Sequence, residues 1–213
     1  GYSVDNSLCL NSGDSPYLSK TFAGAGDRKT WTFSCWLKQS RMLAGDGNYG
    51  GLFRQALHYV GFRQTAALGR SHFNISGVFS AFGGGALTDL HRDPSAWYHF
   101  VFIFDTTQAV AGNRIKMYVN NTLLTITTEG GSPPALNYDG PWMNNAAHEL
   151  FRASTSDAYI FDGYVAEVIV CDGSALPPSN FGETNTQGVW VPKEISGLTF
   201  GTNGFYLDFQ SSG

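Results

Sequence analysis

The sequence predicts an all-β protein, an antiparallel two-sheet sandwich or jelly roll. Three observations lead there. Roughly ten short stretches alternate or run apolar, each a few residues long. Turn residues separate them, with 26 Gly and 8 Pro among 213 residues. No stretch of about 11 or more residues sustains the period of an amphipathic helix.

Leu8-Cys9-Leu10 is a short first strand. Thr30 to Lys38 alternates strictly. Trp31, Phe33, Cys35 and Leu37 face one way, Thr32, Ser34, Trp36 and Lys38 the other. Trp31 and Trp36 therefore lie on opposite faces, and at least one of them must meet something other than the main core. Leu52-Phe53, Tyr59 to Phe62, Phe73 to Phe79 and His148 to Phe151 are weaker strand signals. Trp97 to Phe104 is apolar on both faces apart from His99, which predicts a central strand covered on both sides. Arg114 to Asn120 alternates with Ile115, Met117 and Val119 inward. Asn120-Asn121 then forms a two-residue hairpin turn, since Asn tolerates positive φ, and Leu123 to Thr127 returns. Tyr164 to Val170 and Phe205 to Phe209 complete the strands, and residues 177–181 suit one helical turn. The glycines at 83–85 and the stretch 130–134 read as loops too short to link domains, so one domain is expected over 1–213.

Composition excludes several classes. Aromatic residues make up 15% and charged residues 14%, which excludes disorder as the main description. The net charge of −4 excludes a basic nucleic-acid footprint. No run reaches the ~20 apolar residues of a membrane helix, so no membrane insertion is expected. The opening Gly1-Tyr2-Ser3-Val4-Asp5 has neither Met nor the pattern of a signal peptide, which reads as a fragment or processed chain. Cys9, Cys35 and Cys171 form no disulfide framework or zinc pattern and are expected to be small buried hydrophobes. There are 12 Asp against 5 Glu, and many Asp sit beside Gly, Asn or Ser, where they cap turns.

Catalytic patterns are not found. A retaining glycosidase needs two carboxylates about 5–5.5 Å apart, which alternate positions of one strand provide. None of Glu129, Glu149, Glu167, Glu183 and Glu194 has a second carboxylate two residues away. Glu167, within a strand, is expected to be structural, with Arg152 or His99 as its partner. The five His lack metal spacing, and His99 reads as a satisfied core histidine. The sequence carries neither Gly-x-Ser-x-Gly nor a phosphate loop.

The order of the motifs carries a resemblance. Leu8-Cys9-Leu10 with its Asn-Ser-Gly-Asp turn is followed by Trp31 to Lys38, then by Trp97-Tyr98-His99. Ile115-Lys116-Met117-Tyr118-Val119-Asn120 and Phe161-Asp162-Gly163-Tyr164-Val165-Ala166-Glu167-Val168 come next. This series resembles the laminin G-like branch of the concanavalin A-like lectin/glucanase superfamily, over about Ser7 to Phe209. Asn121 stands where the hairpin of that branch has Gly, and Cys9 and Cys35 depart from its usual residues. The stretches NSGDSPYLSKTF, RDPSAWYHFVFIFDTTQ and FGTNGFYLDF are similar to jelly-roll domains in structural proteins of tailed, especially marine, bacteriophages.

The resemblance implies a non-enzymatic carbohydrate-binding module on a virion or extracellular surface, attaching to host glycan or decorating capsid or tail. The alternative is a purely structural module that binds neighbouring virion subunits or copies of itself. Two sequons, Asn74-Ile75-Ser76 and Asn120-Asn121-Thr122, lend slight support to a secreted adhesion domain. Lectin sites pair an aromatic platform with Asp and Asn. Asp46, Asn48 and Tyr49 in one loop, and Asn137, Tyr138, Asp139, Trp142 and Asn144 in another, have that composition. The competing reading is that Tyr138 and Trp142 close one end of the core, while Trp190 packs as a plug. The resemblance also raises calcium, with Asp105, Asp139, Asp157 and Asp162 as loop carboxylates, although turn capping accounts for each without a metal.

Overall fold

Alternation in the sequence becomes two facing sheets in the computed structural model, which describes residues 2–40, 49–65, 68–83, 93–153 and 160–210. The strands in chain order are β1 (Leu8–Leu10), β2 (Leu18–Thr21), β3 (Thr30–Gln39) and β4 (Tyr49–Gln55). Then come β5 (His58–Thr65), β6 (Leu68–Ile75), β7 (Phe79–Gly83) and β8 (Tyr98–Asp105). β9 (Ile115–Val119), β10 (Thr122–Leu123), β11 (Ile126–Gly131) and β12 (Ala147–Leu150) follow. The last are β13 (Gly163–Asp172), β14 (Gly182–Thr184), β15 (Trp190–Pro192) and β16 (Phe205–Leu207). One sheet runs β1-β13-β3-β8-β9-β10, with β16 also on β13, and the other runs β11-β7-β6-β5-β4-β12-β2. Every pairing is antiparallel. This is the expected sandwich.

The core between the sheets is aromatic. Phe33 stacks on Phe53 at 5.7 Å, Phe62 meets Phe100 edge-on at 4.8 Å, and Trp31 lies 5.0 Å from Trp142. A second cluster lies on the outer face of the first sheet. There Val101, Ile103, Ile169 and Cys171 pack under Phe181, Leu176, Ile195, Leu198 and Phe200. Segment 174–200 thus covers β3, β8 and β13 from outside. This is why Trp97 to Phe104 is apolar on both faces: β8 has a hydrophobic layer above and below it.

Three local features differ from the sequence reading. The strand after the Asn120-Asn121 turn ends at Leu123, and β11 joins the other sheet beside β7. Leu124, only 4% exposed, turns in between the sheets and would touch any Cβ placed on Gly83. Its burial carries the chain across the sandwich corner. Phe73 to Phe79 is two strands, because a turn at Ser76–Val78 reverses the chain between β6 and β7. Cys9 is exposed on an edge strand, whereas Cys35 and Cys171 are buried; all three are free thiols. Burial pushes the Cys171 thiol up to about 11 and Cys35 higher still.

The hairpin turn itself is as expected. Asn120 and Asn121 have φ of 47° and 67°, the left-handed pair of a type I′ turn. The Asn120 side-chain oxygen accepts the His99 backbone N–H at 2.8 Å and ties the turn to β8.

Candidate functional site

The 137–145 loop sends Trp142 and Met143 into the core. Trp142 is fully buried among Trp31, Phe73 and Phe104. Backbone bonds hold the loop along its length: Asn137 N–H to Thr106 O, Gly140 N–H to Arg28 O, and Gly26 N–H to Met143 O. His148 Nε2 accepts the Met143 N–H at 3.1 Å, and burial holds its pKa down at about 4. Tyr138 packs half-buried on the same core, and Asn144 is half-buried. Asn137 and Asp139 stay exposed, with Asp139 3.9 Å from Lys29. The expectation of a glycan platform at Trp142 is corrected here, because its indole is sealed in the core. Asp46 and Asn48 lie outside the described residues. Tyr49 opens β4.

An aromatic cleft of about 390 Å³ lies elsewhere, on the outer face of the first sheet. Its lining combines Trp36, Trp97 and Trp190 with Asp5, Asn6 and Ser7, and with Val189 to Pro192. The elements that bring them together can be followed one by one. Alternation along β3 puts Trp36 on the outer face, opposite Ala166 on one side and His99 on the other. Trp97 immediately precedes β8 and is 39% exposed. β14 and β15 form a small hairpin whose turn is closed by Asn185, its side-chain oxygen accepting from Gln187 and Val189 N–H. That hairpin lays Trp190 over Gly182, where an added Cβ would sit 2.5 Å from the indole.

His99 organises the rings beneath the cleft. It is fully buried, and burial lowers its pKa to about 3, so the imidazole is neutral. Trp190 Nε1–H donates to His99 Nδ1 at 3.0 Å. The ring proton then sits on Nε2, which donates to Ser34 Oγ at 2.8 Å. Trp36 stacks on the imidazole at 4.8 Å and 13°, and Trp190 at 6.0 Å and 24°. Trp190 thus plugs the outer layer, as expected, and lines the cleft as well. Trp36 is 5% exposed, and its Nε1–H has no partner.

The N-terminal wall depends on a β-bulge. Register along β13 shifts between Ala166 and Ile169, and Glu167 takes φ of 50°. Its carboxylate, on the outer side, accepts from Tyr206 Oη–H at 2.6 Å and Tyr2 Oη–H at 3.3 Å. Tyr2 at this anchor and Leu8 opposite Val165 hold residues 4–7 across Ala166. Neither partner expected for Glu167 is used. Arg152 pairs with Glu149, and His99 bonds Ser34 and Trp190. Both expectations failed because two tyrosine hydroxyls reach the bulge from distant segments.

Asp105 is consumed by Thr107 and Gln108, and Asp162 accepts from Ser12. Asp157 lies outside the described residues. Among the described residues, no group of three or more His, Cys, Asp or Glu could hold a metal ion. No helix among them is long and apolar enough to cross a membrane.

Residues 5, 36, 97 and 190 carried no joint signal in the sequence. The one clue was that Trp36 faces away from Trp31, which placed it outside the main core.

Neither a family profile nor a curated protein matches the chain. Solved structures do. Domains LG4–5 of the mouse laminin α1 chain match at 11% identity and TM-score 0.50, over 92% of this chain and 46% of that one. A heptameric SAP-like pentraxin from Limulus polyphemus matches at 12% identity and TM-score 0.46, over 90% of this chain and 88% of that one. Domain 4 of a GH43 extracellular arabinanase from Geobacillus stearothermophilus, solved with arabinotriose, matches at 16% identity and TM-score 0.45, over 71% and 64%. The chain spans less than two thirds of the length of the arabinanase and laminin chains. The laminin likeness and the sheet order agree on one conclusion: the fold is a laminin G-like, concanavalin A-like jelly roll.

Proposed function

We propose that the protein is a non-enzymatic carbohydrate-binding module, a single sandwich domain carried on a phage virion, where it attaches to surface glycan. The observation that carries the glycan reading is the tryptophan cleft. Indole faces match the C–H face of a sugar ring, and Asp5, Asn6 and Ser7 offer polar partners for its hydroxyls on the adjoining wall. Its volume of about 390 Å³ lies in the range of small-ligand sites. Asp5 is the one carboxylate among its described lining residues, where glycosidic hydrolysis needs two. The placement on a virion rests on the resemblance of the three sequence stretches to phage jelly-roll domains.

Trp97 is the residue to test, because its exposure makes it tolerant of replacement. Glycan binding measured by intrinsic tryptophan fluorescence is expected to weaken at least about tenfold in Trp97→Ala, with the melting temperature nearly unchanged. A folded domain that binds no glycan overturns the reading and leaves subunit assembly as the role.

A further inference from the structure

A second cavity, of about 210 Å³, lies between β2 and β12 of one sheet and β16 of the other. Its apolar wall follows from strand register. Phe205 and Leu207 pair with Val170 and Val168, both core residues, so they face the interior while Tyr206 turns outward to Glu167. On the other sheet, Leu150 pairs with Phe53 on one side and Leu18 on the other. Phe22 completes the wall. Phe22, Phe53 and Leu150 are buried, whereas Leu18 is 36% exposed, which puts the mouth of the cavity at the β2 edge.

Lys20 breaks this apolar pattern. It pairs with His148, whose ring lies 4.4 Å from Phe22 and 5.7 Å from Phe53 in the interior. Directly opposed residues share a face, so Lys20 leaves β2 on the interior side, as Leu18 does. It lines the cavity and is exposed. Its long stem can lie on apolar surface while the ammonium stays in water. An inward charge of this kind keeps an edge strand from pairing with another chain. Here it also sets a cation at the rim of an apolar cavity. Glu149 borders the cavity too, but it lies on the opposite face of β12 and already binds both Arg54 and Arg152. His148 spends its ring nitrogens on Met143 N–H and the Ala146 carbonyl, and so adds a ring face to the wall.

An apolar interior with a cation at its mouth is complementary to an aliphatic chain that ends in an anion. At roughly 30 Å³ for each water-sized group, the volume holds a chain of about six to eight carbons. We infer that this cavity binds a medium-chain aliphatic carboxylate, its chain between the sheets and its carboxylate on Lys20 Nζ. The site shares no described lining residue with the tryptophan cleft and does not rest on the carbohydrate-binding reading.

The test titrates the full chain by calorimetry with butanoate, hexanoate, octanoate, octan-1-ol and octylamine. Two variants accompany it, Lys20→Gln and Leu18→Thr, both at exposed strand positions, with circular dichroism to confirm folding. Affinity is expected to rise about threefold per methylene from butanoate to octanoate. Octanoate is expected to bind about two- to fivefold tighter than octanol, with octylamine weakest. Lys20→Gln is expected to remove the difference between octanoate and octanol while leaving octanol binding as it was. Leu18→Thr is expected to weaken both by about threefold. Amide chemical-shift changes on adding octanoate are expected at Lys20, Leu150 and Leu207. Three results would each overturn the inference. They are no saturable octanoate binding below about 10 mM, octanol binding as tightly as octanoate to the wild-type protein, and shift changes centred on Trp97 and Trp190. If Leu18→Thr does not fold, the chain-length series still reads the apolar contact.

Discussion

Glu167 sits buried on a bulge with two tyrosine hydroxyls against its carboxylate. Burial raises its pKa more than those hydrogen bonds lower it. The sign follows. A carboxyl with a raised folded-state pKa holds its proton more tightly when folded. Its contribution is most favourable at acid pH and is lost as pH rises through that raised value. Glu167→Gln keeps an acceptor for both tyrosines and removes the buried charge. The variant is expected to melt a few degrees above wild type near pH 8, and the gap is expected to close near pH 4. Gly182 poses a purely steric question. A Cβ there would lie 2.5 Å from Trp190 Cζ2 and 2.7 Å from Cε2. Gly182→Ala is expected to push the indole off His99, costing about 1–3 kcal/mol. Near-UV circular dichroism and the urea midpoint would read both effects.

Among the elements, the β9–β10 hairpin separates two roles of one residue type. Asn121 serves only its backbone angle, with φ of 67°. Asn120 has φ of 47° and also holds the His99 N–H. Asn121→Gly is expected to be neutral or to stabilise by up to about 1 kcal/mol, because Gly suits that position of a type I′ turn. Asn120→Gly is expected to cost about 1 kcal/mol through the lost hydrogen bond. Urea unfolding of the two variants would distinguish them. The β13 bulge works differently. By turning Ala166 and Glu167 both outward, it builds the cleft floor and the anchor for the N-terminal wall from adjacent residues.

The whole molecule carries a set of buried neutral histidines. Burial lowers His99 to about 3, and His72 and His148 to about 4. An unfolded chain protonates these near the usual imidazole pKa of about 6.5. Between those values the unfolded state binds more protons, so stability is full above about pH 7 and falls as pH drops toward 4. Burial lowers His58 as well, so Glu167 opposes four histidines as a single group. Urea midpoints are therefore expected to drop between about pH 7 and pH 5, and to drop more steeply in Glu167→Gln. Long-range pairing such as β3 with β13 also implies refolding over milliseconds to seconds rather than microseconds.

Some of this was legible in the residues themselves. β3, β8 and β9 follow from period-two alternation, because a half-buried strand can place its apolar groups in only one register. The central place of β8 follows from its two apolar faces, and the Asn120-Asn121 turn from positive φ. β2 escaped notice because all its residues are exposed, leaving no alternation to read. For Trp142 the core reading, which holds, and the glycan-platform reading stood side by side because a loop has no period: nothing local distinguishes an indole facing solvent from one facing the core. Alternation, turn residues and aromatic content specify a turn-punctuated β-sandwich. Which tryptophans share a cleft follows from folding alone. Asp5, Trp36, Trp97 and Trp190 meet through strand order, a bulge and a covering hairpin, and such long-range contacts leave no periodic trace along the chain.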